Sequence, residues 1–186
     1  MVIDDMHIED KTLESLVSGV NLAPGTFGDQ LSAGPTLLVF LRFFGCIFCR
    51  ETVSDLRQLS EKREDFPSVL FVSEAGATEA RAFVRRYWPD ARVVADPQAN
   101  LYAAFGVGTS IIKAFAPGVF SARRRALAKG HEFGPIDGNA FRMPGAFLVR
   151  GSEILWSHKF KHSADQPDFD RAARLVDKSL CDRPVT

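Results

Sequence analysis

Between Thr36 and Phe43 the chain is almost unbroken apolar residues, and from Cys46 onward Cys49, Val53, Leu56 and Leu59 recur every three or four positions. Arg50, Glu51, Asp55, Arg57 and Glu61 take the other faces of that second stretch. The first pattern predicts a strand buried on both sides, the second an amphipathic helix. A doubly buried strand needs helices above and below it, which points to a parallel α/β sheet. The alternation continues with a strand from Ser68 to Ser73, a helix from Glu79 to Trp88 that puts Ala80, Phe83, Val84 and Tyr87 on one side, and a strand from Arg92 to Ala95. Asp96-Pro97 then gives a helix start with proline just inside it, and Leu101, Tyr102 and Phe105 carry the apolar side as far as Gly106.

The flanks are less regular. Asp10 is placed to cap a short helix with Leu13, Leu16, Val17 and Val20 at helical spacing, and Asn21 to Pro35 is a turn-rich lead-in. Residues 109–143 read as a long insertion with one helix between Val119 and Lys129 and a glycine-rich stretch ending at Asn139. Ala146 to Arg150 and Glu153 to His158, separated by Gly151-Ser152, predict a hairpin that closes the sheet, and Pro167 to Leu180 a last helix. At 186 residues, with 46% hydrophobic and 25% charged side chains, one domain over 1–186 is expected, with a lead-in over 1–35 and the insertion over 109–143.

Charge balances at 23 basic against 23 acidic side chains, so no global field draws in nucleic acid or an acidic membrane surface. No apolar stretch approaches the roughly 20 residues of a membrane span. The first residues, Met1-Val2-Ile3-Asp4-Asp5-Met6-His7, are acidic where a secretory signal would be basic, so a cytoplasmic location is expected. Three cysteines do not form a secreted disulfide framework.

Cys46-Ile47-Phe48-Cys49 sits where the buried strand gives way to the helix. A thiol in a first helical turn faces unsatisfied N–H groups and the positive end of the helix dipole, which stabilises its thiolate. Two residues between the thiols allow them to join as a disulfide without large backbone movement. Cys46 is thus the candidate attacking thiolate and Cys49 the candidate resolving thiol, with Arg42 and Arg50 as candidate sources of positive potential. Competing readings are plain packing and half of a zinc site, but zinc needs about four ligands. Only Cys181, His7, His131, His158 and His162 are left to complete one, so no metal is expected. Met143-Pro144, directly before the strand at Ala146, is a candidate substrate-positioning element in which a cis bond would present the Met143 backbone to the thiols. Arg123-Arg124-Arg125 reads as a solvated face or an anion contact, His158 and His162 as structural residues or proton donors, and Cys181 as a packed thiol or a partner-resolving one.

Three stretches in order resemble a known family: residues 40–51, with Phe40 to Glu51 around the cysteines; residues 95–107, with Asp96-Pro97; and residues 143–149, with Met143-Pro144-Gly145. They resemble the thioredoxin-like superfamily in its peroxiredoxin-like branch, labelled AhpC/TSA-like, which includes proteins of the prostamide/prostaglandin F synthase type. The resemblance implies a thioredoxin-like mixed central sheet flanked by helices and a dithiol site at Cys46 and Cys49. It also implies reduction of a disulfide or peroxide with an external thiol such as thioredoxin or glutathione, and it leaves room for a homodimer. No cofactor follows from it. The peroxiredoxin pattern Pro-x-x-x-Thr/Ser-x-x-Cys is not matched: Arg42 and Cys46 stand in its first two slots if Cys49 fills the last, and Val39 and Phe43 if Cys46 does. An alternative is a redox-sensing or binding module in which the same disulfide alters a partner surface around Val119 to Lys129.

Overall fold

Residues 7–136 and 138–176 are described by the structure, which is a computed structural model. In chain order the elements are α1 (Asp10–Leu13), β1 (Ser18–Val20), α2 (Phe27–Leu31), β2 (Thr36–Phe40), α3 (Ile47–Lys62), β3 (Ser68–Ser73) and α4 (Ala77–Tyr87). They continue as β4 (Arg92–Ala95), α5 (Asn100–Ala104), α6 (Ile111–Ala114), α7 (Gly118–Ala128), β5 (Gly145–Arg150), β6 (Glu153–Ser157) and α8 (Phe169–Ala173). The strands form one six-stranded sheet in the order β1-β4-β3-β2-β5-β6. β2, β3 and β4 run parallel, whereas β1 joins β4, β5 joins β2 and β6 joins β5 in antiparallel pairs. This is the mixed, helix-flanked sheet of the thioredoxin-like fold.

The unbroken apolar run of β2 follows from its place at the centre of the sheet. Successive strand residues face opposite sides. Leu37 and Val39 join Val69, Phe71 and Ala146 in a cluster under Val53 and Leu56 of α3 and Phe83 of α4. Leu38 and Phe40 join Leu70, Val72 and Phe147 in a second cluster under Phe27 of α2 and Leu101 and Tyr102 of α5. Burial stabilises each large apolar side chain by about 1.5–3 kcal/mol relative to exposure, so the pattern commits the strand to lie between two helical layers.

The N-terminal region departs from the expectation. Its helix ends at Leu13, and Ser18–Val20 instead pair with Val93, Val94 and Ala95 as an edge strand. The lead-in contains a helix, α2, started by a capping box in which the Thr26 hydroxyl accepts from the Asp29 N–H while the Asp29 carboxylate accepts from the Thr26 N–H. Asp96 starts α5 from further back than expected: its carboxylate accepts from the N–H groups of Asn100 (3.0 Å) and Leu101 (2.8 Å), and Pro97 lies in the preceding turn. The hairpin of β5 and β6 forms as expected, turning at Gly151 with φ 56°. Cys181 and the end of the closing helix lie outside the described residues.

Candidate active site

Cys46 is the N-cap of α3 and Cys49 lies in its first turn, so both thiols stand where β2 hands over to the helix. The Tyr102 hydroxyl, within reach of the carbonyls of Leu41 and Val72 (3.0 Å for Val72), ties the end of β2 to β3 just before Arg42. The Arg42 backbone N–H donates to Cys49 Sγ at 3.3 Å, and its guanidinium reaches Cys46 Sγ at 3.5 Å. Arg42 is itself buried, and its remaining donors go to the carbonyl oxygens of Arg142 (2.7 Å) and Ala140.

This setting separates the two thiols electrostatically. Burial alone would push Cys46 up. The hydrogen bond from Cys49, the Arg42 guanidinium and the N–H groups of Cys49 and Phe48 outweigh it and bring Cys46 down to about 6. Cys49 is driven the other way, well above the usual thiol range, by burial and by the negative charge on Cys46. One sulfur of the pair is therefore an anion near neutral pH and the other keeps its proton. Neither is in a disulfide.

Cys46 is 0% and Cys49 4% exposed, and residues 133–135 and 140–142 contact the junction that carries them. The contact at Gly45 is close enough that an added Cβ would fall 1.8 Å from the Pro135 carbonyl oxygen, and the Gly134 N–H donates to the Gly45 carbonyl at 2.8 Å. Further along α3, Glu51 is fully shielded and accepts from Arg125 at 2.8 and 2.9 Å and from Lys129 at 3.1 Å, joining α3 to α7. Lys129 also bonds Asp55 at 2.7 Å. The helical pattern placed Glu51 on an outer face, so this partnership was missed. It depends on α7, 74 residues away in sequence, and nothing local to α3 signals it.

The other expected site residues divide. Pro144 lines the same small cavity as Cys49, along with Phe48, Gly145, Phe160 and Asp165, so the fold brings it beside Cys49. Met143 is buried and its N–H donates to the Gly108 carbonyl at 3.0 Å. The bond before Pro144 is trans, and among the described residues no peptide is cis. This corrects the expected cis bond; trans is the lower-energy isomer of an X–Pro bond, and the β2–β5 pairing begins only at Gly145. Arg50 directs its donors to the carbonyls of Phe44 (3.0 Å) and Glu132 (2.6 Å), bracing the junction instead of contacting a sulfur. His158 Nε2 lies 3.1 Å from the Asp165 carboxylate, and His162 Nδ1 accepts from the Ala164 N–H, so both shape the loop after β6. Among the described residues, no group of three or more His, Cys, Asp or Glu side chains is arranged to hold a metal, and no helix is long and apolar enough to cross a membrane.

Solved structures share this architecture. Peroxidoxin BcpB from Mycobacterium tuberculosis is 17% identical, with 97% of this chain and 100% of that one covered and a TM-score of 0.58. PrxQ of Xylella fastidiosa is 12% identical over 94% of each chain with a TM-score of 0.67, and a secreted disulfide oxidoreductase of Mycobacterium tuberculosis is 16% identical over 91% of this chain and 99% of that one with a TM-score of 0.52. At such identities the likeness establishes the fold. No curated protein matches the sequence. The AhpC/TSA antioxidant enzyme family matches residues 53–162, beginning within α3 after Cys49 and running through β3, β4 and the hairpin of β5 and β6. With more than half its length in that match, on a peroxiredoxin-like sheet, the chain belongs to the AhpC/TSA antioxidant enzyme family and is a thiol-dependent oxidoreductase.

Proposed function

We propose that the chain is a thiol peroxidase-type enzyme in which Cys46 attacks the substrate and Cys49 resolves the product. The observation that carries this reading is the opposed tuning of the two thiols around Arg42, with Cys46 lowered to about 6 and Cys49 raised. The Cys46 thiolate attacks one oxygen of a peroxide, the O–O bond breaks, and the departing alkoxide or hydroxide takes a proton, leaving a sulfenic acid. Cys49 then attacks that sulfur, losing its proton as water departs, and a Cys46–Cys49 disulfide remains. An external thiol, thioredoxin or glutathione, supplies the two electrons that restore the dithiol.

Arg42 stands in for the absent proline and threonine of the peroxiredoxin pattern as a donor beside the reacting sulfur. The cover over Cys46 favours a small peroxide over a folded disulfide-bearing protein as the first substrate, because a fully shielded sulfur is reached only through a local opening and a small molecule needs the smaller one. Pro144 forms part of the wall beside Cys49, a positioning role read from that place, and Met143 precedes it in the wall of the neighbouring pocket that Pro144 also lines.

A Cys49→Ser variant exposed to peroxide, then analysed by intact mass and peptide mapping, should retain one oxygen on Cys46. An adduct on Cys49→Ser protein only after treatment with disulfide-bearing cell extract would move the reading to disulfide exchange. No modification of Cys46 under either condition would remove it as the nucleophile.

A further inference from the structure

The even charge of the whole chain hides an uneven surface. Among the described residues, nine large apolar side chains are exposed, and eight of them belong to residues 109–143; Leu16 is the ninth. The same segment holds six basic residues against two acidic ones in a chain whose net charge is zero. Three of the six are neutralised from outside the segment, Arg125 and Lys129 by Glu51 and Asp55 and Arg142 by Glu74. Arg123 and Arg124 have no carboxylate partner among the described residues.

Helix α7 shows how the two properties come to share a face. It turns Ala122 and Ala126 inward, 3% and 0% exposed, and uses Arg125 and Lys129 to grip α3. Phe120, Arg123, Arg124 and Leu127, at spacings of three and four, are left on the outer side. Phe115, Phe120, Phe133 and Phe141 then line an apolar groove of about 280 Å³ that runs from Arg123 to Arg42 and Phe48 beside the thiols. The Arg123 guanidinium lies over the Phe133 ring at 5.5 Å.

We propose that this face docks on an anionic phospholipid bilayer, with the aromatic and aliphatic side chains entering the headgroup region and Arg123 and Arg124 meeting lipid phosphates. Apolar tips interspersed with arginine are what an interfacial surface requires: burial of the tips supplies affinity, and the cations select acidic lipid. A second copy of the chain fits less well, since a two-fold contact would bring the same basic segment of both copies together. Docked in this way, the groove that ends at Arg42 and Phe48 opens toward the lipid. The surface stands apart from the roles proposed for Cys46 and Cys49, because binding is read without turnover.

The test is co-sedimentation of the full-length protein with vesicles of phosphatidylcholine alone and of equal parts phosphatidylcholine and phosphatidylglycerol, at low and high salt. Binding to the acidic vesicles is expected, with little to the neutral ones and a marked loss at high salt. Arg123→Ser with Arg124→Ser should weaken partitioning about 25-fold, at about fivefold per charge. Phe115→Ser with Phe120→Ser should weaken it about tenfold or more. Both pairs are exposed, so thermal melting should stay near that of the parent. Absence of binding to acidic vesicles, equal binding to neutral ones, or a dimer by light scattering that the Phe115/Phe120 pair dissolves would each overturn the proposal.

Discussion

Leu38, Leu70 and Leu148, in the middle of the sheet, are wholly shielded from solvent, whereas Ile112, Phe115 and Phe120, in residues 109–143, stand 87%, 70% and 69% exposed. The sheet is held by apolar burial on both faces, so its stability is spread over many side chains and its geometry is rigid. Residues 109–143 bury Ala122, Ala126 and Met143 against the core and are otherwise held by polar ties, among them Arg42 to two carbonyls, Arg50 to the Glu132 carbonyl, Gly134 to Gly45, Arg125 with Lys129 to Glu51, and Arg142 to Glu74. The contrast places the thiols between a frame that fixes them by apolar burial and a cover held more by polar ties. Substitutions in the two regions should therefore separate stability from access to Cys46.

The largest change in stability is expected in the frame. Leu70→Ala should lower the free energy of unfolding by about 3 kcal/mol, read from urea denaturation. It should leave the relative reactivity of the two thiols unchanged in the folded protein. A loss nearer the cost of a surface change would show that β3 is less tightly packed than its burial implies.

The ties of the cover come next. Arg125→Ala leaves the shielded Glu51 carboxylate with Lys129 alone and should cost about 1–3 kcal/mol. Burial pushes Glu51 up, but the hydrogen bonds from Arg125 and Lys129 outweigh it, so its folded value lies below that of the unfolded chain. Such a group stabilises fully above its unfolded pKa, and its contribution is lost as pH falls through the lowered folded value. Arg125→Ala should accordingly flatten the acid limb of the stability profile. An unchanged limb would mean that the pair contributes nothing to folding.

A comparable stability loss, about 1–3 kcal/mol, is expected for Gly45→Ala, because the added methyl meets backbone and not a flexible side chain, and it should come with a clear change in access. The new methyl group would collide with the Pro135 carbonyl, and the cover must lift at that point. Cys46 should then react with a neutral alkylating reagent about tenfold faster, because a shielded sulfur becomes reachable. No acceleration would show that the cover does not limit access.

How much of this was legible in sequence follows the same contrast. β3 and β4 were found with their observed bounds because each is a short apolar run closed by turn chemistry, and the dithiol junction was found because strand and helix patterns meet at Gly45. β1 was read as part of a helix because Leu13, Leu16, Val17 and Val20 keep helical spacing; pairing with β4, a contact distant in sequence, overrides that local pattern. α2 did carry a signal, the Thr26–Asp29 capping box, which the surrounding glycines and prolines obscured. Arg42 was identified as a source of positive potential from its nearness to Cys46 in sequence, and Arg50 was named on the same ground, yet only Arg42 reaches a sulfur. Which way an arginine turns is set by the carbonyls of residues 132–142, and no spacing rule encodes that. The covering of the thiols was invisible for the same reason.

The central claim is that Cys46, and not Cys49, is the thiolate of the reduced protein. Ultraviolet thiolate absorbance against pH, measured in a Cys181→Ser background and repeated with Arg42→Met, tests it most directly. A first thiolate should form with a midpoint at about 6. It should vanish from that range in Cys46→Ser, and its midpoint should move upward in Arg42→Met as the neighbouring cation is lost. A low-pH thiolate that persists in Cys46→Ser, or two thiols titrating together in the ordinary thiol range, would contradict the account.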